Sequence, residues 1–418
     1  MPASRRPFVL AAVATLIVAA ARFFPAPALL DAATGAPAEG FRLAVPLAHL
    51  LLTPFATLGD LAVCSSVPQA LELLLFLFAL AGPFGWLALG RDRDELRQPL
   101  IALRVIGLWG ALVWSVLAWG ALWPRAPARI EADDQDLMAV DFHSHSSYSH
   151  DGRSWFTPAA NLAWHRRAGF GAAFITDHNR VDGAREARRV GRVGWTPERG
   201  GAAPLWGEEL SLHDAHVLLL GAEAAVDNED YRGMEGLERF LRASRGTLGG
   251  LAVPSLPEYY EHHRGRLETL ADWGAAGFEI VAASPRGLTV PPAFRLQVAD
   301  LCRRRGLFVT GGSDNHGYGS TSCVASFVRI PGWRTLEPAA LEREVLAALG
   351  RGGFGAVRVI ARAHALQQPE PGSVAVALET PRALWRAARA WSAAQALAAV
   401  LWAWALAAVC ALAGKKVI

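Results

Sequence analysis

Residues 141–152 read DFHSHSSYSHDG and follow a short apolar strand. Because the side chains of a strand alternate between its two faces, His143 and His145 project to the same face while Ser144 points away. One ion can therefore bind both imidazoles, and the carboxylate of Asp151 is close by in the chain. Such ligands suit zinc, manganese and iron, whereas magnesium and calcium sites are built almost wholly from oxygen. The stretch predicts a transition-metal site.

The same pattern recurs along the next part of the chain. Apolar runs end in metal-type side chains, and a helical stretch follows. These positions are Asp177-His178-Asn179 after the run 172–176, Gly207-Glu208-Glu209, His216 at the start of the run 217–220, and the block GGSDNH at 311–316. In a (β/α) barrel, ligands gather on the face formed by the C-terminal ends of the parallel strands. The repeat predicts six or seven strand–helix units within 138–360.

The segments between these blocks contain helix signals. Thr157 is a suitable N-cap with Pro158 at the first helical position, and Gly169 is a suitable end. A second helix is predicted to begin at Pro338 and to end near Gly350. Apolar runs at 251–253 and 278–281 supply further strands.

In this order the blocks resemble those of the PHP (polymerase and histidinol phosphatase) metallohydrolases, whose motifs look like D-x-H-x-H, T-D-H, G-x-E, a histidine before proline, and G-S-D-x-H. The resemblance covers roughly 138–330. It implies a distorted seven-stranded (β/α) barrel, two or three divalent transition-metal ions (zinc, manganese or iron), and hydrolysis of phosphate esters as the commonest activity. By position it implies these metal ligands: His143, His145, Asp151, His178, Glu209, His216, Asp314 and His316.

The fourth block departs from the family pattern, since Ser255 stands where a histidine ligand is expected. A hydroxyl is a poor replacement for imidazole, so the ion that would share Glu209 and His216 is predicted to be weak, absent or bound otherwise. His262 or His263 could substitute, although both read more simply as exposed helix residues. His150 is an extra histidine in the first block, expected to lie behind the ligands or in solvent.

The hypothesis for the mechanism is that bridged metal ions lower the pKa of bound water from about 15.7 toward about 7 and deliver hydroxide to phosphorus or to a carbonyl carbon. Catalytic roles are assigned to His178, His316 and Asp314, and either histidine could protonate the leaving oxygen. No lysine precedes Lys415, so arginine must hold an anionic substrate. Arg286, in the loop after a predicted strand, is the candidate for this contact.

Neighbouring polar residues receive structural roles. Strand alternation turns Glu208 to the face opposite Glu209, where it is predicted to pair with an arginine. Asp177 and Asn179 are predicted to orient His178 rather than to bind metal.

Composition indicates that the barrel is only part of the protein, because 52% of the residues are hydrophobic and the mean hydropathy is +0.22. Residues 105–124 and 390–414 contain no charge and reach the roughly 20 residues needed to cross a bilayer. Residues 7–24 and 73–90 are also predicted to span, whereas 43–63 fits a re-entrant piece almost as well. The predicted divisions are an N-terminal transmembrane region at 1–128, the barrel at 129–365, and a linker with a C-terminal transmembrane helix at 366–418.

Basic residues near the spans suggest an orientation, because such residues favour the cytoplasmic side. They are Arg5 and Arg6, then Arg91, Arg93 and Arg97, then Lys415 and Lys416. If 43–63 does not span, all three groups lie inside and the barrel faces the periplasm or the cell exterior. Counting 43–63 as a span breaks this agreement.

The missing lysines argue against a Walker A site and a Schiff-base mechanism. The formal net charge of +3, without a basic run interleaved with aromatics in the barrel, gives no indication of nucleic-acid binding. The predicted function is a multi-pass membrane phosphoesterase acting on a small phosphate ester, nucleotide or short oligonucleotide. Its expected partners are the lipid bilayer and an ester substrate, with no specific protein partner evident. The alternatives are a carboxyl or carbamate ester hydrolase and a non-catalytic, metal-stabilised binding or sensor module.

Overall fold

A computed structural model describes residues 6–81, 98–123, 127–194, 201–319, 322–366 and 378–413. The chain forms two compact units. The helical unit comprises Met1–Ala28, Val45–Ala126 and Pro369–Ile418, and the sheet unit comprises Leu29–Ala44 and Pro127–Gln368. The sequence boundaries place 29–44 with the helices, so its membership of the sheet unit is the main difference.

The sheet unit contains all the described strands. They are β1 Leu29–Asp31, β2 Phe41–Ala44, β3 Arg129–Ala132, β4 Leu137–Asp141, β5 Ala172–Ile175, β6 Ala203–Leu212, β7 Ala215–Leu220, β8 Leu251–Ser255, β9 Gly277–Ala282, β10 Phe308–Gly312, β11 Val324–Arg329 and β12 Val357–Arg362. Strands β2 and β3 form a separate pair. The other ten form one curled sheet in the order β1-β12-β11-β4-β5-β6-β7-β8-β9-β10.

Strand direction decides which residues meet at one edge of this sheet. Strands β4, β5 and β6 are parallel neighbours, and so are β8, β9 and β10. Strand β7 runs antiparallel to both β6 and β8. The C-terminal ends of the parallel strands and the N-terminal end of β7 therefore lie at the same edge.

The central strands are buried on both faces, which explains their continuous apolar sequence. All four residues of β5 are buried. Phe142, just after β4, stacks on Phe174 with ring centroids 5.4 Å apart, and both side chains are fully buried. Truncating such a phenylalanine costs about 3–5 kcal/mol. Because Phe142 is committed to this core, strand alternation turns His143 to the opposite face.

The end of β10 lies against the end of β4. The Asp314 N–H donates to the His143 carbonyl at 2.7 Å, and the His145 N–H donates to the Asn315 carbonyl at 3.1 Å. Gly312 is required at this junction, because a Cβ there would lie 2.3 Å from the Cβ of His143. The chain brings the first and last predicted ligand blocks together through backbone contacts.

Helices accompany the strands of the sheet unit. The helix predicted after Thr157 is confirmed as Pro158–Ala168: the Thr157 side chain accepts a hydrogen bond from Ala160 N–H, and Gly169 ends the helix with φ 94°. The other helices are Asp182–Gly194, Gly233–Ala243, Tyr260–His263, Leu267–Trp273, Pro292–Arg305, Pro338–Gly352 and Ala363–Leu366, with 3₁₀ turns at Asn228–Tyr231, Gly287–Thr289, Trp333–Thr335 and Gly353–Ala356.

The segment 29–44 joins the sheet unit by strand pairing. Strand β1 pairs antiparallel with β12, so that Leu30 lies opposite Ala361. Strand β2 pairs antiparallel with β3, so that Leu43 lies opposite Ile130. The sequence analysis found no strand here, because both pieces are short and stand between long apolar stretches.

Among the described residues, the helical unit contains the helices Arg6–Phe23, Leu47–Leu51, Thr53–Val63, Val67–Ala79, Gln98–Leu122, Glu379–Ala390 and Ala393–Ala413. By length and composition, Arg6–Phe23 and Ala393–Leu412 qualify as candidate membrane spans, and Val67–Ala79 and Ile106–Gly120 are shorter apolar helices. The predicted segment 43–63 is not one helix, since it contains the end of β2 and two helices. Part of the predicted span 73–90 lies outside the described residues.

Candidate metal centre

The structure brings all eight predicted ligands together. Seven of them line a cavity of about 300 Å³, namely His143, Asp151, His178, Glu209, His216, Asp314 and His316. The eighth, His145, lies directly behind this cavity, with its Nε2 atom 3.0 Å from Nε2 of His143.

The topology explains this convergence. The segments after β4, β5 and β10 carry His143, His178 and Asp314, and each lies at the C-terminal edge of the sheet. Isolated parallel bridges extend the pairing beyond the strands, linking Ser144 to Asn315 and His178 to Glu209. His216 begins β7 rather than ending it, but β7 is antiparallel, so this residue reaches the same edge.

Four of the side chains form a buried deep set: His143, His145, Glu209 and Asp314. Five distances among their ligand atoms, the imidazole Nε2 and one carboxylate oxygen of each acid, are 3.0, 3.0, 3.2, 3.2 and 3.5 Å. A tetrahedral ion with bonds of about 2.0–2.1 Å separates its ligand atoms by roughly 3.3 Å. The spacing of the His143, His145 and Glu209 ligand atoms therefore fits a transition-metal ion, and Asp314 lies within 3.5 Å of both histidines.

The protonation pattern of His143 supports this fit. Its Nδ1 lies 2.9 Å from Oε2 of Glu279, which is fully buried on β9. A carboxylate at this distance fixes the proton on Nδ1 and leaves the lone pair of Nε2 directed into the deep set. Metal-binding histidines are commonly oriented in this way by a carboxylate behind them.

An unsatisfied carboxylate oxygen also fits a cation at this site. Oε1 of Glu209 is buried and lacks a hydrogen-bond partner among the described residues. Oε1 lies 2.9 Å from Nδ1 of His216, but the pair does not have hydrogen-bond geometry. Buried polar groups are rarely left unsatisfied without a functional reason, so these residues fit a metal centre.

The other four side chains form a more exposed outer set: Asp151, His178, His216 and His316. Oδ2 of Asp151 lies 3.0 Å from Nε2 of His316 and 3.4 Å from Nε2 of His178. Nδ1 of His316 lies 2.9 Å from the Asp314 carbonyl oxygen, which fixes the proton there and leaves Nε2 for Asp151 or an ion. His145, Asp151, His178 and His316 form a group compatible with a metal ion, as do His178, Glu209 and His216.

The carboxylates of the deep set call for a compensating positive charge. Burial by itself lowers the pKa of His143, but Glu209, Glu279 and Asp314 outweigh burial and leave this pKa well above its usual value. The same competition, in which Asp314 and Glu209 oppose burial, raises the pKa of His145 to about 10. Because protons and metal ions compete for the same lone pairs, metal affinity at such a site depends on pH.

In the outer set, Asp151 remains ionised. Burial alone would raise the pKa of Asp151, but hydrogen bonds from His178 and His316 hold it well below its usual range. Burial, the largest influence on His178, lowers its pKa despite the opposing contact with Asp151. The loop 146–156 thus supplies an ionised carboxylate opposite a neutral imidazole.

Ser255 makes a different contact from that of the expected histidine. Its hydroxyl donates to Oε2 of Glu279 at 2.6 Å, the same oxygen that contacts His143. Ser255 therefore belongs to the network behind the deep set, and its side chain supports His143 indirectly.

The alternative histidines occupy different places. His150 lines the cavity, and its ring centroid lies 4.8 Å from that of His178. His262 is exposed, with Nδ1 3.8 Å from Oδ2 of Asp214 in the β6–β7 turn. His263 is buried, contrary to its predicted exposure. Neither His262 nor His263 is among the described residues that line the cavity.

The structural roles predicted for three neighbours need correction. Glu208 does not pair with an arginine: it is fully buried and accepts a hydrogen bond from Val226 N–H at 3.0 Å. Burial raises the pKa of Glu208 to about 7. Asp177 binds the backbone N–H and hydroxyl of Ser146, and Asn179 accepts from Ser211 N–H. The last two orient the loops around His178 rather than its ring.

Arg286 lies at the cavity, as predicted, and its side chain is exposed. No carboxylate lies within ion-pairing distance of it among the described residues. Two further arginines beside the site contact tyrosine rings: Arg153 lies 4.3 Å from the Tyr318 ring centroid, and Arg180 lies 5.6 Å from that of Tyr148. Arg180 is already paired with Asp182 at 3.1 Å, so among the described residues Arg153 and Arg286 supply the positive charge that no carboxylate neutralises.

Four polar residues at this site were not predicted from the sequence: Ser211, Glu258, Tyr259 and Glu279. The Ser211 hydroxyl lies 3.3 Å from Nδ1 of His178. Glu279 could have been noticed as a lone carboxylate inside the apolar run 277–282. Glu258 and Tyr259 line the cavity from the turn after β8, and Tyr259 Oη lies 3.4 Å from Nε2 of His216. The only sequence signal near this turn was Ser255, which stands where a histidine ligand is expected.

Three solved structures are similar to parts of this one. A candidate metal-dependent phosphoesterase from Bifidobacterium adolescentis has a TM-score of 0.33 and 18% identity, covering 43% of this chain and 87% of its own. PsfC from Pseudomonas syringae has a TM-score of 0.36 and 15% identity, and the match covers 60% of this chain and 98% of PsfC. An amidohydrolase from Chromobacterium violaceum has a TM-score of 0.30 and 18% identity, and the match covers 54% of this chain and 98% of the amidohydrolase.

No protein-family profile and no curated protein sequence matches the chain. The three structural similarities are too low to support an argument about function. The interpretation of the site therefore rests on its own side chains.

Proposed function

We propose that this protein is a membrane-anchored, metal-dependent hydrolase whose principal substrates are phosphate esters. The observation that carries the proposal is the deep set, in which the ligand atoms of His143, His145 and Glu209 lie at the mutual spacing of a metal's ligands and Asp314 lies within 3.5 Å of both histidines. The outer set adjoins it within the same cavity, so the site has ligands for a second and a third ion. In this proposal, the seven strands β4–β10 form the barrel.

The deep set would hold one divalent ion, and the two groups that contain His178 would hold the others. When bound, such ions supply Lewis acidity and lower the pKa of a coordinated water to about 7. Glu279 orients His143 for this role. The buried carboxylates give the site a strong preference for cations over a neutral ligand.

His178, His316 and Asp314 are the proposed catalytic residues. Asp314 has a positive φ of 46°, which is unusual for a residue other than glycine and is typical of strained positions at functional sites. Either histidine lies close enough to Asp151 to exchange a proton with it. An imidazole that binds an ion cannot also protonate the leaving oxygen, so this role belongs to whichever of His178 and His316 binds no ion.

Arg286 is the proposed substrate-binding residue. Its guanidinium is exposed at the cavity and has no described carboxylate partner, so it can bind an anionic oxygen of the substrate. A guanidinium matches phosphate and carboxylate with two parallel hydrogen bonds. This property suits a phosphate ester, but it does not by itself reject a carboxylate product.

The strand pairing of 29–44 constrains the proposed membrane topology. Since β1 pairs with β12 and β2 with β3, this segment must share one side of a bilayer with the rest of the sheet unit. The chain between 45 and 126 must then cross an even number of times. Three spans in this region, which would include 43–63, are incompatible with the pairing.

With two crossings there and one at each end, all three basic groups lie opposite the sheet unit. By the positive-inside rule they are cytoplasmic, so we propose that the sheet unit faces outward. The test is a pair of reporter fusions, one after residue 130 and one after residue 418. Activity of the first only in the cytoplasm would contradict this orientation.

The function itself is tested on the full chain in detergent. Metal content is measured by elemental analysis, and turnover is compared on phosphomonoesters, phosphodiesters, carboxyl esters and carbamates. We expect metal-dependent turnover of a phosphate ester. Turnover confined to the carboxyl esters or carbamates would favour the alternative hydrolase, and metal-loaded protein without turnover would favour a binding module.

A further inference from the structure

The position expected to carry a histidine ligand leaves one side of the cavity without an imidazole. Ser255 pairs with His216 in the β7–β8 register. Its hydroxyl, however, is engaged with Glu279 at 2.6 Å. The ion that would share Glu209 and His216 therefore lacks a ligand at this position of the chain.

A turn directly after Ser255 brings another side chain to the cavity. Strand β8 ends at Ser255, and Tyr259 N–H donates to the Leu256 carbonyl at 3.1 Å. Pro257 and Glu258 are the central residues of this turn, and proline favours the first central position because its φ is fixed. Glu258 lines the cavity together with Glu209 and His216.

Glu258 is half-buried and makes no hydrogen bond or ion pair among the described residues. Burial is the main cause that raises its pKa, and the Asp314 carboxylate raises it further, while His216 and Arg286 oppose them. Its carboxylate thus lies within the field of both sets. Burying an unpaired carboxylate beside other carboxylates is unfavourable without a cation.

We infer that Glu258 is the ligand that replaces the expected histidine, completing a site with Glu209 and His216 for one divalent ion. Carboxylate and imidazole both bind transition metals, but carboxylate is the harder ligand and suits manganese better. This inference rests on the proposed metal-dependent function. It adds that the ion on this side is held by a more oxygen-rich group of ligands than the family pattern implies.

The experiment counts metal ions on the full chain in detergent, after equilibration with manganese and removal of excess. Compared with the unmodified chain, Glu258→Gln is expected to lose about one ion per chain and to keep those of the deep set. Glu261→Gln is the matched control, since this exposed glutamate follows three residues later and does not line the cavity. It is expected to retain every ion.

A rescue variant separates loss of a ligand from loss of fold. Ser255→His combined with Glu258→Gln restores an imidazole at the family position and is expected to recover the missing ion. Glu258→Asp keeps the carboxylate on a shorter side chain, and about a 10-fold weaker affinity for one ion is expected. Thermal unfolding of each variant is measured beside the metal count.

Unchanged metal content in Glu258→Gln, with or without a change in KM, would overturn the inference. So would equal manganese affinity in Glu258→Asp and the unmodified chain. Failure of the proposed function has a different signature: the metal counts change as expected, but none of the forms hydrolyses a phosphate ester. The two proposals can therefore fail separately.

Discussion

The deep and outer sets differ in burial and in how their side chains are supported. The side chains of His143, His145 and Glu209 are 3%, 0% and 1% exposed, whereas those of Asp151, His316 and His216 are 40%, 20% and 18% exposed. His178 is the exception in the outer set, since its side chain is 5% exposed, close to the 7% of Asp314 in the deep set. The deep set follows directly from strand ends. Much of the outer set depends on loops, which tolerate change more easily.

The deep set also has more buried hydrogen-bond partners behind it than the outer set. Glu279 orients His143 from behind, and Asp141 accepts hydrogen bonds from the backbone N–H groups of His143 and Ser313. Asp141 is itself held by His165 at 2.8 Å. The outer residues are supported mainly from loops and from the deep set: the Ser149 hydroxyl donates to Asp151, and the Asp314 carbonyl contacts Nδ1 of His316. The deep set is therefore positioned by the strands of the sheet, whereas much of the outer set is positioned by the loops that follow them.

The largest effect is expected in the deep set. His143→Ala, or removal of metal with a chelator, should lower turnover at least about a thousandfold, equivalent to about 4 kcal/mol of transition-state stabilisation. The reason is that the ion would lose a ligand placed by the sheet. Turnover and elemental analysis are the measurements. His262→Ala, at an exposed histidine away from the cavity, is the control. Normal metal content in His143→Ala would contradict the assignment of the deep set as the better-supported half of the site.

The second prediction concerns acid, and it applies to the segment that follows the cavity-lining residues Glu258 and Tyr259. Burial lowers the pKa of His263, at the end of helix Tyr260–His263, from 6.5 to about 4. The unfolded chain binds a proton below about pH 6.5 and the folded one only near pH 4, so stability falls as pH decreases through this window. The loss is on the order of 2–3 kcal/mol.

Chemical unfolding at pH 4.5 and pH 7.5 measures this dependence. His263→Leu removes the titrating group, so the difference between the two pH values should shrink. His262→Leu, the exposed neighbour, serves as the matched control and should keep the full difference. An undiminished pH dependence in His263→Leu would show that other groups govern acid stability here.

The third prediction tests how much Glu279 and Ser255, which lie behind His143, contribute to metal affinity. Glu279→Gln keeps the shape of the side chain but replaces a charged acceptor for His143, so metal affinity should fall about 10- to 100-fold. Ser255→Ala removes only the other hydrogen bond to Glu279 and should have a smaller effect. Competition with a metal-binding dye measures both affinities. Equal effects would mean that Ser255 matters as much as the contact with His143.

The smallest effect is expected from His150, which lines the cavity beside His178 but belongs to neither set. His150→Asn should leave metal content unchanged and alter kcat/KM by no more than about threefold, or about 0.7 kcal/mol. Elemental analysis and steady-state kinetics check this. Loss of an ion in His150→Asn would extend the outer set by one ligand.

The sequence predicted all four residues of the deep set because their signals are local. The spacing of His143 and His145 follows strand alternation, and Glu209 and Asp314 each follow or end an apolar run. A lone carboxylate inside an apolar run marks Glu279 as unusual, but the sequence does not identify its partner, since His143 is distant in the chain. Its role depends on tertiary packing.

The fold was predictable to a similar extent. The helices after Thr157 and from Pro338 carried cap and proline signals, and the strands around 251 and 278 were apolar runs. Strands β1 and β2 were missed because three or four residues between apolar stretches show no clear period. The contacts of Glu208, and the position of Glu258 in a turn, depended on neighbours that the sequence alone does not identify.

The pairing of β1 with β12 makes the sheet unit discontinuous along the chain. A soluble fragment cut at the obvious boundary near residue 129 would lack β1 and β2. Its β12 edge would then present unpaired backbone groups, which favour association between copies. A fragment designed for crystallisation should therefore carry Leu29–Ala44 joined to residue 127 by a short linker, so that the helices are removed without opening the sheet.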